Sequence, residues 1–150
     1  MDSVFLDTGA FIAIMAARDP NHPSAKDLYS QLVKRRALLV VTNHVIDETC
    51  TWLVRDRTAG HAGAAAFGRF IRANSQPMDA TDSASGKPMR VVYSSPADEQ
   101  RAWEIFETYD TAGFSFTDCV SFAVMERLGI SRAFTYDAHF DMLGFVRVTG

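Results

Sequence analysis

Apolar residues along this chain come in two rhythms, short continuous runs and longer stretches at helical spacing, and the two alternate. Ser3-Val4-Phe5-Leu6 is a short apolar run that stops at Asp7-Thr8-Gly9, and Ala10 to Ala16 has helical composition. A strand, a turn and a helix are predicted there. Asp19-Pro20-Asn21-His22-Pro23 breaks that helix, and Ser24 is placed to cap a second one through Arg36, with Leu28, Leu32 and Val33 as its buried stripe. Ala37 to Val41 reads as the second strand. Thr42 or Asn43 caps a third helix to about Arg57, and His61 to Ala73 reads as a fourth. Residues 74–89 are turn formers without period, which predicts a long structureless loop, either functional or mobile. Met89 to Tyr93 is the third strand, and Pro96 opens a helix to Tyr109. Phe116 to Leu128 is another helix, closed by Gly129. Arg132 to Tyr136, a helical turn at 138–142 and a final strand Phe145 to Val148 complete the chain. Such alternation predicts an α/β fold whose parallel sheet is covered on both faces.

Composition fits that picture. A chain of 150 residues, 47% apolar and 22% charged, is expected to form one domain over 1–150 with a core that needs no staples. Cys50 and Cys119 are therefore expected to be free thiols of a reducing cytoplasm. No run approaches the ~18 apolar residues of a membrane span, and Met1-Asp2-Ser3 lacks the basic head of an export signal. The net charge of −3 speaks against a generic nucleic-acid coat. It is uneven, however: residues 1–75 hold nine Lys/Arg against seven Asp/Glu, and residues 76–150 hold six against eleven.

Ligands of open α/β sheets bind beyond the carboxyl ends of the strands, so acids at those ends are the first candidates. Asp7 ends the first strand and Asp137 the fourth; Glu48 and Asp118 stand near the starts of helices that leave the same edge. Helical geometry puts Glu48 on the flank of the stripe Val45, Ile46, Thr49, Trp52 and Leu53, while Asp47 points away from it. The helix bearing Asp118 is apolar nearly all round and so predicted to be buried, and a carboxylate on its first turn needs a partner. Each acid alone also fits a local role: Asp7 and Asp137 as caps, Asp118 in a Ser115-x-x-Asp118 capping box, Glu48 as a half-exposed helix residue. Together they would repel one another unless a cation compensates them. With oxygen donors and no His/Cys set, that cation is expected to be Mg²⁺ or Mn²⁺. His22, His44, His61 and His139 lack the ligand spacing of a zinc site.

Four segments in order, Val4-Phe5-Leu6-Asp7-Thr8-Gly9-Ala10, Asn43-His44-Val45-Ile46-Asp47-Glu48-Thr49, Phe114-Ser115-Phe116-Thr117-Asp118-Cys119 and Phe134-Thr135-Tyr136-Asp137-Ala138-His139-Phe140, resemble the motifs of PIN-domain ribonucleases. Among these, VapC-type toxins of toxin–antitoxin pairs are the nearest in pattern. The resemblance covers essentially the whole chain. It implies a three-layer α/β/α fold with a central parallel sheet of four to five strands, and a Mg²⁺/Mn²⁺-dependent endoribonuclease of the cytoplasm. It further implies Asp7 and Asp118 as primary metal ligands, Glu48 and Asp137 as the remaining acids of the catalytic and metal site, and Thr8 and Thr117 as neighbours that hold a ligand or water. An antitoxin partner and a homodimer are also implied. The loop at 74–89 looks longer than these toxins usually have.

For RNA contact the candidates are Arg55, Arg57, Arg69 and Arg72, with Trp52, Phe67 and Phe70 as stacking partners; the alternative is solvated arginines around core aromatics. Phe5-Leu6-Asp7-Thr8-Gly9 also resembles the active-site turn of aspartic proteases, but those are all-β. A PIN ribonuclease of RNA maturation without an antitoxin, and a non-catalytic PIN-like binding module, remain as alternatives; the second predicts loss of at least one of the four acids.

Overall fold

A computed structural model describes residues 2–80 and 86–149. The chain runs β1 (Ser3–Leu6), α1 (Thr8–Met15), α2 (His22–Lys34), β2 (Leu38–Thr42), α3 (Asn43–Arg55), α4 (Gly60–Asn74), β3 (Ser75–Pro77), β4 (Met89–Val92), α5 (Pro96–Thr108), α6 (Phe116–Leu128), β5 (Arg132–Phe134), α7 (His139–Met142) and β6 (Val146–Val148). The six strands form one sheet in the order β3-β4-β2-β1-β5-β6, and every pairing is parallel. Because helices cover both faces, the inner strands are apolar without alternation: Val4, Phe5, Leu6, Leu39, Val40 and Val41 are fully buried. From β1 the chain crosses to β2 on one side, and from β5 to β6 on the other. The strand order therefore reverses between β1 and β5, whose carboxyl ends open the crevice in which such sheets bind ligands.

The sequence expectations hold for fold class and for most elements. The sheet gains a sixth strand, β3, inside the stretch expected to be a structureless loop. Ser75-Gln76-Pro77 carries no strand propensity of its own; it is recruited at the sheet edge by register with Met89, Arg90 and Val91, where a proline is tolerated. The central part of that loop, residues 81–85, lies outside the described residues. Ser24 does not cap α2. The cap position is Asn21, one residue before His22 and Pro23, because proline favours the first turn, and the Ser24 hydroxyl donates instead to the Asn21 carbonyl at 3.1 Å. Thr42 does cap α3, its Oγ1 accepting from Val45 N–H at 3.1 Å. α3 ends at Arg55 rather than Arg57, since the Asp56 carboxylate accepts from Thr58 and Ala59 N–H and starts a turn.

α6 is the buried helix foreseen, with every side chain from Asp118 to Met125 buried and Gly129 closing it at φ 67°. It packs against α5, where Asp98 sits 3% exposed. Ser95 Oγ accepts from Asp98 N–H, the Asp98 carboxylate accepts from Ser95 N–H, and Arg127 of α6 adds two bonds at 2.6 and 3.0 Å. Despite burial, those donors hold the Asp98 carboxyl below the usual carboxylate range. Asp98→Ala removes a helix cap and a charge-assisted bridge at once, and about 2–3 kcal/mol of stability should be lost. Urea unfolding at pH 7 checks this; because the folded pKa is depressed, the wild-type advantage should persist above pH 4 and fade on further acidification.

Candidate active site

Asp7 occupies the cap position of α1 but makes no side-chain cap bond, so the local explanation for this acid fails. Its side chain instead turns into the crevice, where Oδ2 accepts from Thr135 Oγ1 at 2.8 Å. Burial pushes the Asp7 carboxyl up to about 7; the Thr135 hydroxyl and Thr8 N–H oppose that shift, and the nearby charges of Asp118 and Glu48 add to it. Thr135 Oγ1 also accepts from Asp137 N–H at 3.0 Å, so one hydroxyl ties the acids of β1 and β5 together.

The remaining acids converge on the same edge. Asp118 forms the predicted capping box, Ser115 N–H donating to its Oδ2 at 3.1 Å and Ser115 Oγ accepting from its N–H at 3.0 Å. That fixes one oxygen and leaves Oδ1 without a bond to the capping box. The Asp118 carboxyl is raised above the usual range, chiefly by burial, with Asp137 and Glu48 adding to the rise and the Ser115 N–H and His139 resisting it. Asp137 likewise spends Oδ1 on a local bond, from His139 N–H at 2.8 Å. Glu48 is half-buried and Asp47 exposed, as the helical geometry predicted. Among the described residues no Lys or Arg pairs with any of the four acids.

The nearest basic side chain is His139, whose Nδ1 lies 3.5 Å from Asp118 Oδ2 and 3.3 Å from Asp137 Oδ2. That nitrogen is buried and makes no hydrogen bond, and the Thr8 hydroxyl beside Asp7 is likewise buried and unpartnered. One donor atom each from Asp118, Asp137 and His139 lies within 4.8 Å of the others. This is an acidic cluster able to hold a metal ion, and its donors are those of a hard divalent cation with one imidazole added.

Two residues of the site escaped the sequence reading. Thr135 stands just past the end of β5, two places before Asp137 across the bend at Tyr136, and its hydroxyl reaches both Asp7 and the Asp137 amide. His139 lacks the ligand spacing of a zinc site along the chain, and only the turn that α7 opens brings it back onto the acids. Thr117 is half-buried beside Asp118.

The four arginines are all exposed. Arg55 lines a groove of about 400 Å³ with Glu48, Thr51, Trp52 and Asp56. Arg72 lies on a different surface with Ile46, Ser75 and Tyr93, and its Nε donates to the Gly68 carbonyl. The aromatic expectation needs correction for Phe67, which is fully buried and packs edge-on against Phe11 at 5.3 Å. It serves the core. Phe70 is half-buried on Tyr29, and Trp52 remains 43% exposed.

The PIN domain family model matches residues 4–146. The chain belongs to the PIN domain family. It is 32% identical over 145 residues to the 23S rRNA-specific endonuclease VapC20 of Mycobacterium tuberculosis, covering 97% of each chain. The crystal structure of that protein, described as a sarcin-ricin loop cleaving toxin, superposes with a TM-score of 0.79 over 98% of this chain and 99% of the other. A VapC ribonuclease of Archaeoglobus fulgidus is 25% identical over 143 residues, 93% of this chain and 80% of that one. VapBC2 of Rickettsia felis, solved on a DNA fragment from its promoter, shares the fold at a TM-score of 0.67 and 9% identity, over 97% of each chain. Among the described residues, no helix of this PIN domain is long and apolar enough to cross a membrane.

Proposed function

We propose that this PIN domain, residues 1–150 acting as one unit, is a metal-dependent endoribonuclease and the toxin of a toxin–antitoxin pair. The observation that carries the reading is the convergence of four carboxylates on one sheet edge, with no Lys or Arg among the described residues to neutralise them. Asp7 and Asp118 hold the ion, Mg²⁺ or Mn²⁺, with Glu48 and Asp137 directly or through water; Thr8 and Thr117 steady a ligand or a water beside them. When bound, the cation lowers the pKa of an attacking water and neutralises charge on the phosphoryl oxygens. Thr135 orients Asp7 and the Asp137 backbone, the Ser115 capping box orients Asp118, and burial limits the water that reaches Asp7 and Asp118. No covalent nucleophile is required. Arg55, Arg57, Arg69 and Arg72 are the exposed cations available to RNA phosphates.

The near full-length similarity to an rRNA-specific endonuclease makes structured ribosomal RNA the first substrate to offer, and an action on ribosomal RNA is in keeping with the cytoplasm. A cognate antitoxin and a homodimer are the expected partners. The test is to incubate the purified protein with total RNA in Mg²⁺, Mn²⁺ or chelator and to map the new ends. Discrete cuts that need the cation are expected. Cuts that persist in chelator, or none in either metal, would overturn the reading.

A further inference from the structure

Glu48, Thr51, Trp52 and Arg55 follow one another at i, i+3, i+4 and i+7, so they stand on one face of α3. The structure confirms it: all four line the same groove, which holds about 400 Å³ and is lined by Asp56 as well. A volume of that order accommodates a small organic ligand. The buried side of α3 consists of Val45, Thr49 and Leu53. Trp52 is therefore not needed by the core, and its indole stands 43% exposed. Arg55 makes no ion pair among the described residues. Its sequence neighbour Asp56 does not claim it, because Oδ2 of that carboxylate accepts from the Thr58 and Ala59 amides. An open aromatic face and an uncommitted guanidinium thus lie in line with one of the four acids, about 10 Å along the helix from Glu48 to Arg55.

We propose that this face of α3 is a nucleotide subsite next to the scissile bond: the Trp52 indole stacks on a base and the Arg55 guanidinium holds the adjoining phosphate. The inference rests on the ribonuclease reading above. It supplies what an acidic centre lacks. Four carboxylates repel a phosphodiester wherever the cation does not screen them, and a fixed positive charge two helical turns beyond Glu48 sets the direction in which the strand leaves. Stacking is tolerant of base identity but demands an unpaired base, so the subsite selects a splayed-out nucleotide of a loop over one in a duplex. A protein segment is the less fitting occupant, because three of the five lining residues, Glu48, Arg55 and Asp56, are charged and Glu48 is itself one of the four acids of the site.

The chain has two tryptophans, Trp52 and Trp103, so Trp103→Phe leaves Trp52 as the sole indole reporter. In that background, with Asp118→Asn keeping RNA intact, an oligoribonucleotide that the wild type cuts should quench the emission saturably in Mg²⁺. An abasic residue at one position beside the cut should abolish the quench. Trp52→Leu should raise KM roughly ten-fold and leave kcat nearly unchanged, with Trp52→Phe recovering most of the loss. Arg55→Gln should weaken binding and flatten the salt dependence of affinity by about 0.7 in the log–log slope, one single-strand phosphate contact. Normal binding and cleavage by both Trp52→Leu and Arg55→Gln would overturn the subsite while the ribonuclease reading stands. So would emission that responds to a protein partner and not to RNA. Failure of the wild type to cut any RNA would instead remove the ribonuclease reading, and the subsite with it.

Discussion

Asp7→Asn is expected to abolish RNA cleavage and, at the same time, to make the metal-free protein more stable at neutral pH. Loss of cleavage follows from removing a charged metal ligand. The stability gain follows from burial: the Asp7 carboxyl titrates at about 7 in the folded protein against 3.8 when solvated. The folded state therefore binds the proton more tightly than the unfolded state. Below about pH 4 both states are protonated and the residue costs nothing. Between pH 4 and 7 stability falls as pH rises, and above 7 the full penalty stands, of the order of 4 kcal/mol. An amide at this position carries no charge and can still accept from Thr135, so the variant should recover much of that amount, less the cost of its own buried N–H₂ group. Thermal unfolding in chelator from pH 5 to 8 checks the expectation: the wild type should lose stability toward pH 8 more steeply than the variant. Identical pH profiles would show that Asp7 is not held in a desolvated crevice. The same proton competes with the cation, so metal affinity of the wild type should drop as pH falls below 7.

Thr135→Val should lower metal affinity or cleavage ten- to a hundred-fold while the protein stays folded. The threonine is fully buried, and valine matches its shape. What is lost is one hydroxyl that donates to Asp7 Oδ2 at 2.8 Å and accepts from Asp137 N–H at 3.0 Å. Without it the Asp7 carboxylate loses a bond that favours its charged form, and the chain at Asp137 loses its anchor. Partners that orient metal ligands carry effects of that size. Because the donor opposes protonation, the pH at which activity rises should also move upward, and Thr135→Ser should restore it. A purely structural threonine would change the melting temperature and leave that midpoint where it is.

The parallel sheet was legible because its strands are buried on both faces and read as unbroken apolar runs, and because Pro96 and Gly129 punctuate the helices that follow. β3 was not legible, since Ser75-Gln76-Pro77 owes its extended form to pairing with β4 rather than to its own residues. The four acids could be named because strand ends and helix starts are where an α/β sheet presents ligands. The local roles considered for them were right for Asp118 and Asp137 and wrong for Asp7. A capping bond engages one carboxylate oxygen and leaves the other free, so cap and ligand were never exclusive alternatives. Thr135 and His139 stayed hidden for another reason. Their importance lies in contacts across the crevice, Thr135 with Asp7 and His139 with Asp118, and periodicity along a single element carries no signal of them.

The most direct measurement is the cleavage rate of Asp118→Asn against the wild type, on the same RNA in saturating Mn²⁺, with both proteins shown to be folded. Asparagine can still accept from Ser115 N–H and keep the capping box, so α6 should form normally. The account predicts discrete cuts by the wild type and none by the variant. Equal metal-dependent cleavage by the two proteins would contradict it.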